Sequence, residues 1–173
     1  MVKDPFGDRA KREHCIEIWN AFSTFKIPRL STALILPGSS IYEWDLVLRK
    51  GYQSTQAYCV EINPAIKANF TRRVVKAKLP SPPNFFRMPL SAAAEALVHR
   101  GVRLDVVNLD FCQTCEVAKR DRYAMLDEIQ RFLLQPILSP TALVAIGWMV
   151  AREHGRDNLE AEGLTFGVVE GHD

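Results

Sequence analysis

The stretch TALILPGSS (residues 32–40) combines a strand signal with a turn signal. A short uncharged run rich in apolar residues is followed by Pro37 and Gly38, a pattern typical of a buried strand that ends in a tight turn. Residues 40–50 then carry five large apolar side chains, and Gly51 follows as a helix stop signal. The stretch therefore predicts a strand, a glycine turn and a helix in direct succession.

The same alternation continues outward from this unit. Further strands are predicted at residues 56–62, 85–88, 104–111 and 142–150, with a sixth considered at 164–169. Helices are predicted at 8–25, 65–76, 92–99 and 122–134, with Asn63 and Ser91 as N-caps and 152–160 as a partly helical linker. Strands that alternate with helices indicate an α/β fold, a three-layer Rossmann-like arrangement whose mostly parallel sheet carries helices on both faces.

The length of 173 residues fits a single domain. We divide it into an N-terminal helix (1–28), a core (32–150) and a C-terminal segment (151–173). The helical stripe of Trp19, Phe22 and Phe25 is expected to pack against the sheet. In the helix at 122–134, the expected inner stripe comprises Ala124, Leu126, Ile129, Phe132 and Leu133.

Composition narrows the class of protein. The chain is 47% hydrophobic and 24% charged, and its formal net charge of +2 does not by itself indicate a nucleic-acid-binding protein. Residues 1–14 lack the apolar core of a secretory signal, and the longest apolar stretch, 142–151, is about half of what a membrane span needs. The four cysteines are interpreted as reduced thiols. We therefore expect a cytoplasmic protein that does not enter a membrane.

Polar residues follow four of the predicted strands. In an open parallel sheet, ligands bind beyond the carboxyl ends of the strands, near the point where strand order reverses. That rule selects PGSS (37–40), EIN (61–63), PL (89–90) and NLDF (108–111). Glu61 lies about twenty residues beyond the glycine turn, the distance at which an acid binds ribose in dinucleotide-binding folds. Asn108 and Asp110 interrupt an apolar strand, where an unpaired polar group is costly.

Structural explanations for these residues stay open at this point. Gly38 could serve only a turn. Glu61 could end its strand and cap the next helix together with Asn63. Asp110 could cap the segment that follows it.

Taken together, these positions resemble the class I S-adenosylmethionine-dependent methyltransferases from about residue 32 to 150, which makes 32–150 a cofactor-binding core. The resemblance implies S-adenosylmethionine (SAM) as cofactor. In that family a glycine loop after the first strand passes under the methionine part, an acid after the second strand holds the ribose, and the loop after the third touches adenine. The matching residues here are Pro37, Gly38, Ser39 and Ser40, then Glu61 and Ile62, then Met88, Pro89 and Leu90.

The end of the fourth strand faces cofactor and substrate in that family, which implies catalytic roles for Asn108, Asp110 and Phe111. Asp110 or Asn108 would accept a hydrogen bond or a proton from the methyl acceptor. Phe111 or Trp44 would pack against a planar substrate or the adenine. The acceptor is not identified by the resemblance, and a nucleic acid is only one candidate.

The sequence departs from the family pattern in three places. The first loop has one glycine and no leading acid, Pro89-Leu90 replaces the acid that often binds adenine, and few residues follow the fifth strand. We therefore expect a compact or truncated member. The main alternative is a non-catalytic binding or regulatory protein on the same fold, and a homodimer that covers an edge strand is a further expectation.

A second alternative is a thiol-redox protein using Cys112 and Cys115, because a Cys-x-x-Cys at a strand-to-helix junction is typical of thioredoxin-like enzymes. No recognised spacing brings four zinc ligands together, and neither a serine-hydrolase elbow nor a phosphate loop is present. Two short basic clusters, Arg9-Lys11-Arg12 and Lys119-Arg120-Arg122, are interpreted mainly as solvated faces.

Overall fold

The structure is a computed structural model that describes residues 7–25, 31–38, 40–114, 119–149 and 167–168. The helices are α1 (Gly7–Thr24), α2 (Tyr42–Arg49), α3 (Pro64–Lys76), α4 (Leu90–His99) and α5 (Lys119–Leu133), with a short 3-10 turn at Ser54–Gln56. The strands are β1 (Ala33–Ile35), β2 (Ala57–Val60), β3 (Asn84–Phe86), β4 (Leu104–Thr114), β5 (Leu138–Met149) and β6 (Gly167–Val168).

The strands form one sheet in the order β3-β2-β1-β4-β5-β6. The first five are parallel to one another, and β6 pairs antiparallel with β5. The predicted α/β fold with a mostly parallel sheet is confirmed. Strand order reverses between β1 and β4, so the chain moves outward through β2 and β3 before it returns to the other side of β1.

Helices cover both faces of the sheet, as predicted. On one face, Ala33 and Ile35 of β1 pack in a core cluster with residues of α1, α2 and α3. On the other face, Leu34 packs in a second cluster with residues of α4 and with Phe132 of α5. The alternation along β1 follows from the two-residue period of a strand, whose successive side chains point to opposite faces.

Two strands extend further than the sequence indicated. β4 continues to Thr114, and β5 begins at Leu138, so β5 includes Pro140, which precedes the strand predicted at 142–150. The register shifts here, because Leu104 pairs with Leu138 whereas Val106 pairs with Leu143. Proline is tolerated at such an irregularity, since a bulged residue need not donate a ladder hydrogen bond.

The start of α4 also differs from the prediction. The helix begins at Leu90, so Ser91 is inside the helix and is not its N-cap. The carboxylate of Glu128 in α5 instead accepts hydrogen bonds from the Ser91 amide (2.7 Å) and the Ser91 hydroxyl (3.1 Å). Because the hydrogen-bond acceptor comes from another helix, the sequence near Ser91 does not indicate how the first amides of α4 are paired.

The inner face of α1 is rotated relative to the expected stripe. Trp19 and Phe22 are buried as predicted, but the burial continues through Cys15 and Ile18, and Phe25 is 50% exposed. In α5, Ile129 and Phe132 are buried, whereas Leu126 and Leu133 are exposed. The linker expected at 152–160 lies outside the described residues.

The central position of β1 predicts a specific stability difference between two leucines. Leu34→Ala removes a fully buried side chain between two helices and should lower the free energy of unfolding by about 2–5 kcal/mol. Leu134→Ala, at a position that is 75% exposed, should change it by no more than about 0.5 kcal/mol. Urea unfolding followed by circular dichroism measures both, and equal losses would contradict this description of the core.

Candidate functional site

The register of the sheet places the carboxyl ends of β1, β2 and β3 level with the middle of β4, so the predicted residues 108–111 lie inside β4 rather than at its end. Ile35, the last residue of β1, is level with Cys59 of β2 and Asn108 of β4, and Val60 is level with Phe86 of β3. Neighbouring strands lie about 4.8 Å apart. The four segments selected from the sequence therefore line one continuous edge, next to the point where strand order reverses.

The turn after β1 has the expected backbone conformation. Gly38 has a φ of +56°, in the left-handed region that favours glycine. Pro37 is buried beside it, and the Ser40 hydroxyl accepts a hydrogen bond from the Tyr42 amide (3.2 Å) at the start of α2. Ser39 lies outside the described residues. The turn places backbone and hydroxyl groups at the edge with little side-chain bulk.

Glu61 is held by the start of the next helix. Its Oε1 accepts a hydrogen bond from the Asn63 amide (2.8 Å), and Asn63 caps α3 by accepting from the amides of Ala65 and Ile66. The structural explanation of Glu61 is thus correct for one carboxylate oxygen. Oε2 has no hydrogen-bond partner among the described residues. Glu61 is consequently oriented by the protein while one oxygen can still accept from a ligand.

An apolar surface lies beside Glu61. Ile62 is 62% exposed, so its side chain is accessible to a ligand at the edge. Because β2 and β3 are neighbours, the loop that contains Met88 and Pro89 follows the adjacent strand. Met88 is half-buried, Pro89 is exposed and is the N-cap residue of α4, and Leu90 is buried in the core. Of the three predicted residues in this loop, Met88 and Pro89 are accessible and Leu90 is not.

Asn108 belongs to a buried polar network that the sequence did not reveal. Its Nδ2 donates to Oε1 of Glu43 in α2, and the same oxygen accepts from Nε1 of Trp19 in α1 (3.1 Å). Asn108 and Glu43 are both buried, and Oδ1 of Asn108 has no hydrogen-bond partner among the described residues. Asn108 therefore joins β4 to two helices beneath the edge, and its side chain is not accessible to a substrate in this arrangement.

Asp110 lies two residues further along β4, on the same face, and is half-buried. A Cβ added to Gly147 of β5 would lie 3.6 Å from Oδ1 of Asp110 and 3.5 Å from Nε2 of His14. His14 comes from α1, so this helix brings an imidazole near the candidate carboxylate. The sequence around His14 does not predict this position, because the placement of α1 depends on contacts with distant residues. The side chain of Phe111 lies outside the described residues.

The predicted positions of Trp44 and of Cys112 are both wrong. Trp44 is fully buried in the core and donates from Nε1 to the Pro80 carbonyl (2.8 Å), so it cannot pack against a ligand at the edge. Cys112 lies inside β4 rather than at a strand-to-helix junction, and the next helix begins at Lys119. Among the described residues, no helix begins directly after Cys112, whereas thioredoxin-like enzymes place helix amides at the thiol. Cys115 lies outside the described residues.

Cys59 is a free thiol on β2 in the same core cluster as α1 and α2. Burial raises its pKa well above the usual value, the charge of Glu43 adds to this, and Lys67 opposes it. This thiol stays protonated near neutral pH, so it is an apolar packing group rather than a nucleophile.

Neither a metal centre nor a membrane span is found in the described part of the chain. Those residues contain no group of three or more His, Cys, Asp or Glu side chains arranged to hold a metal ion. Among the described helices, none combines the length and apolar character of a membrane span.

Comparisons with known proteins bear on the fold. The sequence matches no protein-family model, and a search of curated proteins found no match. Solved structures do match. A SAM-dependent methyltransferase from Agrobacterium tumefaciens has a TM-score of 0.55 at 19% identity, over 80% of this chain and 44% of that protein. The putative methyltransferase yhhF from Escherichia coli has a TM-score of 0.52 at 18% identity, over 84% and 71%.

A hypothetical protein from Thermus thermophilus has a TM-score of 0.56 at 16% identity, over 84% of this chain and 74% of that one. At these identities the likeness concerns the fold alone. This chain has the fold of the class I SAM-dependent methyltransferases, and it spans less than half the length of the Agrobacterium protein.

The buried network leads to a stability prediction. Glu43→Ala removes the acceptor shared by Trp19 and Asn108 and leaves two buried donors, which should lower the free energy of unfolding by about 2–6 kcal/mol. Glu95→Ala, the same change at an exposed position on α4, is the matched control and should cost less than about 0.5 kcal/mol. Equal urea midpoints for the two variants would show that the network does not support the edge.

Proposed function

We propose that this protein binds SAM at the carboxyl edge of the sheet and transfers its methyl group to an acceptor. The observation that carries the proposal is the meeting, at one edge of a methyltransferase-type fold, of the Gly38 turn, a Glu61 carboxylate with one available oxygen and the Asp110 carboxylate. None of these groups alone would support it.

The residues present fit the parts of the cofactor. The turn formed by Pro37, Gly38, Ser39 and Ser40 would lie under the methionine part, where a residue in the left-handed conformation lets the backbone approach a ligand closely. Glu61 Oε2 would accept from a ribose hydroxyl. Adenine would lie between the exposed Ile62 and the loop of Met88 and Pro89, with Leu90 acting from beneath through packing alone. Exposed apolar residues beside a polar anchor are typical of such pockets.

When bound, SAM supplies an electrophilic methyl group on a sulfonium. The acceptor would attack that carbon in line as the carbon–sulfur bond breaks, and the acceptor would lose a proton. The Asp110 carboxylate would accept this proton or orient the acceptor through a hydrogen bond. Most of the acceleration would come from alignment of the two reactants. Asn108 is assigned a positioning role, because it is buried on Glu43, and Phe111 is proposed to pack against the acceptor.

The first test concerns cofactor binding. Glu61→Ala should weaken SAM and S-adenosylhomocysteine binding at least tenfold, about 1.4 kcal/mol, because a ribose hydroxyl loses its acceptor. Isothermal titration calorimetry measures this, with Glu95→Ala as the matched control that keeps wild-type affinity. Absence of binding to the wild type would overturn the proposal and favour a non-catalytic interaction protein on this fold.

A second test separates catalysis from binding. Asp110→Asn should keep SAM affinity within about twofold but reduce methyl transfer about 100-fold or more, because the amide no longer accepts a proton. Asp127→Asn is the matched control, since Asp127 lies on the exposed side of α5 in an ion pair with Arg131. Transfer of tritiated methyl groups to separate RNA, DNA, protein and small-molecule fractions of a cell extract provides the readout. Wild-type transfer by Asp110→Asn would remove Asp110 from the mechanism.

A further inference from the structure

A groove of about 440 Å³ lies on the outer side of the helices that cover one face of the sheet. It includes Ser40, the last residue of the candidate cofactor turn, and then Ile41, and it follows α2 through Tyr42 and Asp45 to Arg49. From Tyr42 to Arg49 is about 10 Å along a helix. The groove therefore begins beside the proposed methyl-transfer edge and extends along α2.

Three arginines from three different helices line this groove. Arg12 belongs to α1, Arg49 to α2 and Arg73 to α3, and Asp45 is the only acid among the lining residues. Arg49 is bound to Asp45 (2.7 Å), with its side chain still 74% exposed, and Arg73 makes no ion pair among the described residues. Three guanidinium groups and one carboxylate give the lining residues a net charge of +2, as large as the formal net charge of the entire chain.

The basic surface continues beyond the groove. The sequence from residue 62 to residue 94 contains no Asp or Glu but has six Lys and Arg residues. Four of these cations lie on or directly after the last half of α3, which forms one side of the groove: Arg72, Arg73, Lys76 and Lys78. The total composition could not indicate this local concentration of cations on and directly after α3.

The shape and chemistry of the groove fit a nucleic-acid backbone. Guanidinium groups bind phosphate oxygens through a planar pair of donors, and several of them along a groove can follow successive phosphates. A length of about 10 Å corresponds to about three nucleotides at a rise of about 3.4 Å. At the end nearest the edge, the Arg12 guanidinium lies 5.4 Å from the centre of the Tyr42 ring, so an aromatic surface stands beside the cations. Such a combination is typical of single-strand binding.

We propose that this groove, defined by Arg12, Arg49 and Arg73, binds the phosphate backbone of a single-stranded nucleic acid whose base enters the methyl-transfer edge. The assignment of the nucleic acid as the methyl acceptor rests on the proposed function. The binding of the nucleic acid does not rest on the proposed function, because it depends only on the charges and shape of the groove.

Fluorescence anisotropy with labelled single strands of RNA and of DNA, each about 20 nucleotides long, tests the proposal and distinguishes the two chemistries. Binding should weaken with salt, with a slope of log K against log salt of about −2, since each phosphate contact to a single strand contributes about −0.7. The double variant Arg49→Gln/Arg73→Gln should bind at least tenfold more weakly, with a slope reduced by about one or more. Arg131→Gln, on α5 at the other face of the sheet, is the matched control and should bind as the wild type does.

Two results would overturn the proposal: equal binding by the double variant and the wild type, or binding of polyglutamate as tight as binding of the nucleic acids. SAM titrations of the same variants separate this proposal from the function. Wild-type SAM affinity with no nucleic-acid binding would leave the cofactor site intact and reject the groove. Arginine-dependent nucleic-acid binding without SAM affinity would support the groove and reject methyl transfer.

Discussion

Strand β1 is hydrogen bonded to a parallel strand on each side and is covered by helices on both faces. Its three residues, Ala33, Leu34 and Ile35, are fully buried, which suits an interior strand and excludes an edge position. Right-handed crossovers then place α2 and α3 on one face as the chain moves outward, and α4 on the opposite face as it returns. The loops after β1 and β4 consequently diverge, and that divergence creates the edge at which the candidate site lies.

The edge also depends on a polar contact that is costly to bury. Glu43 accepts from Trp19 and Asn108, and these three residues come from α2, α1 and β4. Once paired, such a network favours one arrangement of its elements, because any shift would leave buried polar groups unsatisfied. It fixes α1 near Asn108 in the middle of β4, and this position of α1 brings His14 towards Asp110 and Arg12 towards Tyr42. The candidate catalytic edge and the arginine groove are thus both set by where α1 lies.

Local patterns were sufficient to predict the fold and two local backbone features next to the candidate site. Alternating apolar runs and helical segments predicted the sheet, and the pairs Pro37-Gly38 and Asn63-Pro64 predicted a turn and a helix start that both occur. These signals act within a few residues of one another. Features that depend on distant contacts could not be predicted in this way, such as the Glu128 cap of α4 and the burial of Trp44 in the core. Glu43 resembles any acid in a first helical turn, and only the packing of α1 shows that it is buried.

The arginines of the groove show the same limit. They are separated by 37 and 24 positions in the sequence, so their proximity depends on how three helices pack. Asp110 could be proposed as a site residue from the sequence, because a carboxylate in an apolar strand is costly unless it has a partner, and that signal is local.

The central claim is that SAM binds at the carboxyl edge beside β1. The most direct measurement is an amide chemical-shift map of the isotope-labelled protein, at 19.6 kDa, during titration with S-adenosylhomocysteine. The account predicts that the largest shifts occur at Gly38, Glu61, Ile62 and Met88. Shifts confined to α4 and α5 or to the arginine groove, or no shifts at millimolar ligand, would contradict it.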